Sequence, residues 1–161
     1  MKNNISIIAS IGKNNELGLN NKLVFYSKED MKYFKNTTIN HNIVLGRKTL
    51  ESIPKLLYKR THLVLTTSII NNPNIITFNN INTLLKYIDT IDEEVFVIGG
   101  ASIYKQFIDY AYKLYLTEVN QEYEANAYFP NFNKDDYYKQ LIFENNDKPK
   151  YKRYIYTRKE M

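Results

Sequence analysis

Two stretches of this sequence are suited to binding an anion: Val44-Leu45-Gly46-Arg47-Lys48-Thr49 and Val97-Ile98-Gly99-Gly100-Ala101-Ser102 each run from an apolar segment through glycine into helical spacing. The first turn of a helix offers unpaired N–H groups and the positive end of the helix dipole, and glycine lets an anion approach the backbone. Neither stretch has the spacing of a dinucleotide fingerprint or a P-loop, and each alone also reads as a plain strand-to-helix turn. Two on one sheet, with Arg47 and Lys48 beside the first, suit a ligand with separated phosphates. Thr66-Thr67-Ser68, directly after another apolar run, adds hydroxyl donors at the same edge.

Asp30 closes Ser27-Lys28-Glu29-Asp30, ahead of Met31 and Phe34. Locally this is a capping box, with Ser27 capping a helix and Asp30 reaching back to its N–H. The other reading turns Asp30 into a cleft lined by Met31 and Phe34, where a carboxylate grips the amidine-like edge of a heterocycle through two hydrogen bonds. Arg60 ends a loop containing Pro54; a guanidinium there can take a carboxylate bidentately, although a surface arginine is the plainer reading. Glu51 and Ser52 follow Thr49, and the hydroxyl of Thr117 can satisfy a neighbouring acid. His41 and His62 are isolated and form neither a metal pair nor a catalytic triad.

The elements that must position these residues follow from periodicity. Ile5–Ile11, Asn42–Leu45, His62–Leu65, Asn74–Thr77 and Glu94–Ile98 are short, β-branched and bounded by polar residues or glycine, as buried strands are. Lys28–Asn36, Arg47–Ser52, Ile81–Ile88 and Ala101–Asp109 have helical spacing, the last with Ile103, Phe107 and Ile108 on one face. Strand then helix, repeated, predicts a largely parallel sheet covered on both sides. Tyr112–Val119, Tyr137–Glu144 and Tyr151–Arg158 read as longer strands, the last two forming an antiparallel hairpin. The segment from Gly12 to Tyr26 is the long connection without a clear period, as functional or mobile loops are.

The chain has 161 residues, 43% hydrophobic and 24% charged, which suits one globular domain. Zero cysteines remove disulfide frameworks, cysteine zinc sites and thiol chemistry. The opening Met1-Lys2-Asn3-Asn4 runs into an apolar stretch too brief for a secretion leader, and no segment approaches the ~20 apolar residues of a membrane span. The expectation is a soluble protein of a reducing compartment, the cytoplasm. A net charge of +5 favours anionic partners, but the charges are interleaved as on an ordinary solvated surface. The excess of Asn, Ile, Lys and Tyr has the look of AT-rich coding bias.

Order and spacing together resemble the dihydrofolate reductases along nearly the whole chain. The resemblance runs from Ile5-Ser6-Ile7-Ile8-Ala9, through Gly18, Asn21, Asp30 to Phe34, Gly46 to Ile53, Arg60, Val97 to Gly100, Tyr104 and Leu114 to Thr117, to Phe129-Pro130. It implies a single α/β domain over 1–161, built in three layers around a mixed eight-stranded sheet with flanking helices and a C-terminal antiparallel hairpin. It also implies NADPH-dependent reduction of 7,8-dihydrofolate to 5,6,7,8-tetrahydrofolate, which serves one-carbon metabolism and thymidylate synthesis, and inhibition by diaminopyrimidine or pteridine antifolates. By the same resemblance Asp30 holds the pterin's amino group and ring N–H, supported by Thr117, and these two are the catalytic pair. Ile8, Met31, Phe34 and Ile53, with Lys55, Leu57, Ile98 and Tyr104, wall the substrate, and Arg60 meets the α-carboxylate of its glutamate tail. Gly46, Arg47, Lys48 and Thr49 form one phosphate-binding helix start; Gly99, Gly100, Ala101, Ser102, Ile103, Tyr104 and Gln106 form the other. Arg47, Thr66 and Thr67, with Ser68, take the adenosine 2′-phosphate. The Gly12-to-Tyr26 loop closes over the nicotinamide, with Ala9, Ser10, Leu17, Gly18, Asn21, Lys22 and Leu23 touching or gating it. No metal is implied.

Three positions depart from the family pattern. Val24-Phe25 stands for the usual Pro-Trp, Ala101-Ser102 for a glycine and an arginine, and Asn126 for an acid ahead of Phe129-Pro130, a change expected to loosen loop closure. A related reductase of riboflavin synthesis would share the fold, but the pairing of Asp30 with Arg60 speaks against it. A basic nucleic-acid-binding domain would place aromatic and basic residues together, as Tyr151-Lys152-Arg153-Tyr154-Ile155-Tyr156 does; alternating burial in a strand explains the same residues more simply.

Overall fold

The computed structural model describes residues 3–160. Met1 and Lys2, which open the stretch read for a leader, and Met161 lie outside the described residues. The chain forms β1 (Ile5–Ile11), β2 (Glu16–Leu19), β3 (Lys22–Leu23), α1 (Lys28–Thr38), β4 (Asn42–Gly46), α2 (Arg47–Ser52), β5 (Thr61–Leu65) and β6 (Ile75–Phe78). There follow α3 (Ile81–Ile88), β7 (Val95–Gly99), α4 (Ala101–Phe107), β8 (Lys113–Val119), β9 (Ala127–Tyr128), β10 (Tyr137–Glu144) and β11 (Tyr151–Arg158).

Eight strands make one sheet in the order β10-β11-β8-β1-β7-β4-β5-β6. Its six strands from β8 to β6 are parallel, and β11 runs antiparallel to both β8 and β10. The strands β1, β4 and β7 are buried on both faces, as the near-continuous apolar runs require. On one face Ile5, Ile7, Val44, Leu63, Val95 and Val97 pack with Leu84 and Ile88 of α3 and with Ile103 and Phe107 of α4. On the other, Ile8, Ile43, Leu45, Val64 and Phe96 pack with Tyr33 and Phe34 of α1 and Leu50 of α2. Each fully buried side chain of this size contributes about 1.5–3 kcal/mol relative to exposure, so the two apolar faces fix which helix covers which side.

Helix α1 runs on to Thr38, past the expected end at Asn36, and α4 stops at Phe107, short of Asp109. The larger difference is the Gly12-to-Tyr26 segment, which is no plain loop. Its strands β2 and β3 form a three-stranded sheet with β9. The turn between them is Asn20-Asn21, both at positive φ (53° and 66°), with Leu19 paired to Lys22 across it. A two-residue turn of this kind needs φ > 0 at both positions, and Asn-Asn supplies it without glycine.

Glu16 holds this small sheet down. It is 2% exposed, and its carboxylate accepts from the N–H groups of Asn14 (2.5 Å) and Tyr123 (2.6 Å). Burial alone would raise its pKa, but those backbone donors outweigh it and hold the carboxyl below its ordinary 4.5. The stability it contributes is therefore present above the unfolded value and is lost as pH falls through the lowered folded one. Glu16→Gln is expected to lower unfolding free energy by about 1–3 kcal/mol in denaturant titrations at neutral pH, with the difference from wild type shrinking in acid.

Candidate active site

Asp30 lies in the first turn of α1, and the local capping motif is only half formed. Ser27 Oγ does accept from the Asp30 N–H at 3.1 Å, but the Asp30 carboxylate bonds across the sheet. Its Oδ1 accepts from Thr117 Oγ1 (2.7 Å) and Arg153 Nη2 (2.8 Å), and its Oδ2 from the Ser10 hydroxyl. Ser10, Thr117 and Arg153 are cross-strand neighbours on β1, β8 and β11. A buried carboxylate needs such donors, because an unmatched one costs several kcal/mol. The side chain keeps 15% exposure, so it is reachable.

Ile8 and Phe34 meet beside it, in a cluster that also takes Leu57 and Ile98. Met31 instead lines a shallow cavity with Tyr26, Lys28, Lys32 and Lys35. Ile53 is half-buried just past α2, and Lys55 is exposed; neither is packed into the apolar cluster. Tyr104 lies in the opposite core, its hydroxyl donating to the Ile8 carbonyl at 2.8 Å, and burial pushes its pKa well up. Arg60 is buried and not a surface arginine. It donates to Thr38 Oγ1 (3.1 Å) and to the carbonyls of Lys35 (2.6 Å) and Tyr58 (2.5 Å), all neutral oxygens, and burial lowers its pKa. His62, given no chemical role, is fully buried and accepts from the Leu57 N–H at 3.1 Å, which ties down the loop leading to Arg60.

The two glycine-led helix starts are neighbours because β4 and β7 are. Leu45 pairs with Gly99, and a methyl on Gly100 would lie 3.3 Å from Thr49 Oγ1. Gly46 and Gly100 are the N-caps of α2 and α4, and neither helix start carries a side-chain cap. Arg47 reaches the Ser68 hydroxyl and pairs with Glu51 at 2.6 Å, which brings it to the Thr66-Thr67-Ser68 corner; Lys48 is exposed. Ser102 and Gln106 are exposed one turn apart, bonded at 3.3 Å. Adjacent uncapped helix starts with a cation and hydroxyls to one side fit a ligand of separated phosphates. In the small sheet Leu17 and Gly18 are buried, while Asn21, Lys22 and Leu23 are exposed, and Ala9 is buried on β1. No group of three or more His, Cys, Asp or Glu suited to a metal occurs among the described residues, and no described helix is long and apolar enough to cross a membrane.

The family model for dihydrofolate reductase matches residues 4–160. The chain belongs to the dihydrofolate reductase family. It is 41% identical over 155 residues to the dihydrofolate reductase of Buchnera aphidicola subsp. Acyrthosiphon pisum, covering 96% of each chain. It is 36% identical over 134 residues to that of Staphylococcus haemolyticus (83% of this chain, 80% of the relative). Over 138 residues it is 34% identical to that of Bacillus subtilis (83% and 79%).

Two departures from the reductase family pattern have visible replacements. Phe25 is buried edge-on against Tyr151, ring centroids 5.3 Å apart, beside Val119. Asn126 exchanges bonds with Asn20: its Oδ1 accepts from the Asn20 N–H and its Nδ2 donates to Asn20 Oδ1, both at 3.1 Å, while its own N–H meets the Gly18 carbonyl at 2.9 Å. The small sheet is thus latched without the usual acid. Sequence reasoning missed Arg153 and Glu29; an arginine at a strand position facing the same way as buried Tyr151 was the signal for the first.

Gly99 sits at φ +119°, where a Cβ would also meet the Tyr104 hydroxyl at 3.2 Å. Gly99→Ala is expected to destabilise the fold by about 1–3 kcal/mol, readable as a lowered Tm.

Proposed function

We propose that the protein reduces 7,8-dihydrofolate to 5,6,7,8-tetrahydrofolate with NADPH as hydride donor. The observation that carries this is the Asp30 carboxylate, sequestered against β1, β8 and β11 beside two adjoining phosphate-type helix starts, in a chain of this family. NADPH, when bound, supplies the hydride that goes from nicotinamide C4 to pterin C6. The chain's residues hold the two rings in stacking contact and keep bulk water out, which is where most of the rate gain arises in such a transfer. Asp30 grips the pterin's amino group and ring N–H, and Thr117 keeps the carboxylate in that orientation. The proton for pterin N5 comes from a water admitted at the Gly12-to-Tyr26 segment, and Asp30 acts on that step electrostatically.

Arg60 carries the specificity for the tail. Its bonds go to neutral oxygens, so its charge is left for an anion, and the α-carboxylate of a glutamate answers it. Gly46 to Thr49 and Gly99 to Tyr104 hold the cofactor's phosphates through backbone N–H groups. Arg47, with Thr66, Thr67 and Ser68, selects NADPH over NADH at the 2′-phosphate. Diaminopyrimidine antifolates take the pterin's place on Asp30. We take the protein to act as a monomer, the groups named here all lying on one copy of the chain, and to act in the cytoplasm.

The decisive assay is loss of NADPH absorbance on adding dihydrofolate, with NADH in parallel and a diaminopyrimidine as inhibitor. Inhibitable turnover preferring NADPH is expected; saturable NADPH binding without turnover overturns the substrate assignment. Asp30→Asn should lower turnover by orders of magnitude at neutral pH while NADPH affinity persists, and unchanged turnover removes Asp30 from the chemistry. Arg60→Leu should weaken folate binding by about 2–4 kcal/mol; a wild type that binds pteroate as tightly as folate contradicts that role.

A further inference from the structure

Arg153 is the least exposed Arg, Lys, Asp or Glu among the described residues, at 1%. A cation so placed is costly unless paired and hydrogen-bonded. Its fork takes both oxygens of Glu29, Nη1 to Oε2 at 3.0 Å and Nη2 to Oε1 at 2.8 Å. Nη2 also reaches Asp30 Oδ1 at 2.8 Å, and Nε donates to Thr117 Oγ1 at 3.1 Å. The guanidinium lies over the Tyr33 ring, 3.9 Å from its centroid. Glu29 is 41% exposed and accepts in addition from the Tyr151 hydroxyl at 2.7 Å.

We propose that Arg153 is a positioning residue of the substrate site. With Glu29 as counter-ion, it fixes the Asp30 carboxylate and keeps the site able to hold a cationic diamino-heterocycle further into acid than Asp30 and Glu29 could without it. The proposal rests on Asp30 being the group that grips the pterin.

Two consequences of the geometry support it. A carboxylate has about four acceptor positions. Thr117 and Arg153 both bond Oδ1 of Asp30, and Ser10 bonds Oδ2, so donors from three strands fix the plane of the group. The second consequence is charge. Glu29 and Asp30 are adjacent in sequence and share one guanidinium nitrogen. Without that nitrogen they are neighbouring like charges, and each raises the other's affinity for a proton. Among the described residues, Tyr33 on α1 couples to Asp30 and Tyr151 on β11 bonds Glu29, both pushed up by burial and uncharged near neutrality; Glu94 lies further off, bonded to Ser6 and, at 2.8 Å, to the Tyr115 hydroxyl.

The test is calorimetric titration of 5-benzyl-2,4-diaminopyrimidine into the full-length protein as a function of pH, reading the acid-side midpoint at which binding is half lost. Arg153→Met should raise that midpoint by about one pH unit or more. Arg153→Lys, which keeps the charge, should recover most of the shift. Glu29→Gln removes the like charge and leaves the cation, so its midpoint should fall. Affinity lost equally at every pH in Arg153→Met, with an unmoved midpoint, overturns the proposal and leaves Arg153 a role in folding alone. If Arg153→Met does not fold, Glu29→Gln decides, and an unmoved midpoint there overturns it. Asp30→Asn in the same titration separates the two readings: full affinity in that variant refutes Asp30 as the gripping acid, whereas lost affinity beside unmoved midpoints refutes Arg153 only.

Discussion

A carboxylate taken out of water must be matched where it stands, and the match for Asp30 is spread over three strands. Ser10, Thr117 and Arg153 come from residues far apart in sequence, yet strand register puts them in one row across β1, β8 and β11. The row works only if β11 pairs with β8 in its observed register, since a one-residue slip would turn Arg153 to the other face. The position of α1 is constrained in the same way. The helix carries Glu29 and Asp30 on its first turn, and both meet that row while Tyr33 and Phe34 cover the apolar surface beyond it. Packing of the C-terminal hairpin and chemistry at the N-terminal helix are therefore one problem.

On the other side of β1 the chain solves the opposite problem. At the starts of α2 and α4 it brings two sets of free N–H groups together and supplies no internal acid or capping side chain to consume them. Charge is satisfied internally around Asp30 and left unmatched by side chains around Gly46 and Gly100. Arg60 belongs with the second kind, held by neutral oxygens. These two treatments of charge meet along β1, whose Ser10 side chain and Ile8 carbonyl face Asp30 and the Tyr104 hydroxyl respectively.

Much of this was readable from residue order. The apolar runs located the central strands, because buried strands leave a trace in the sequence, and the ends of α2, α3, β10 and β11 fell where the spacing put them. The Gly12-to-Tyr26 segment was not readable by periodicity. Its strands are too short to show a period, and the informative signal was the Asn20-Asn21 turn. The local sequence around Asp30 was misleading in part, since Ser27 forms its half of a capping box while long-range donors claim the acid. Arg153 was hidden for a related reason: a strand pattern tells which residues point inward, not that an inward arginine has two acids waiting on another element.

The strand order also dictates when the site can exist. β4, β5 and β6 are neighbours in both sequence and space, so residues 42–78 can pair as they are made. β1 has no such partner; it lies between β7 and β8 and must wait for residues 95–119. Contacts of such separation form slowly, because long loops must close before they are rewarded. The donor row around Asp30 waits longer still, until residues 151–158 have left the ribosome and β11 has docked. A nascent chain thus carries Glu29 and Asp30 as bare neighbouring acids until β11 has docked, and the row of donors around them is complete only then.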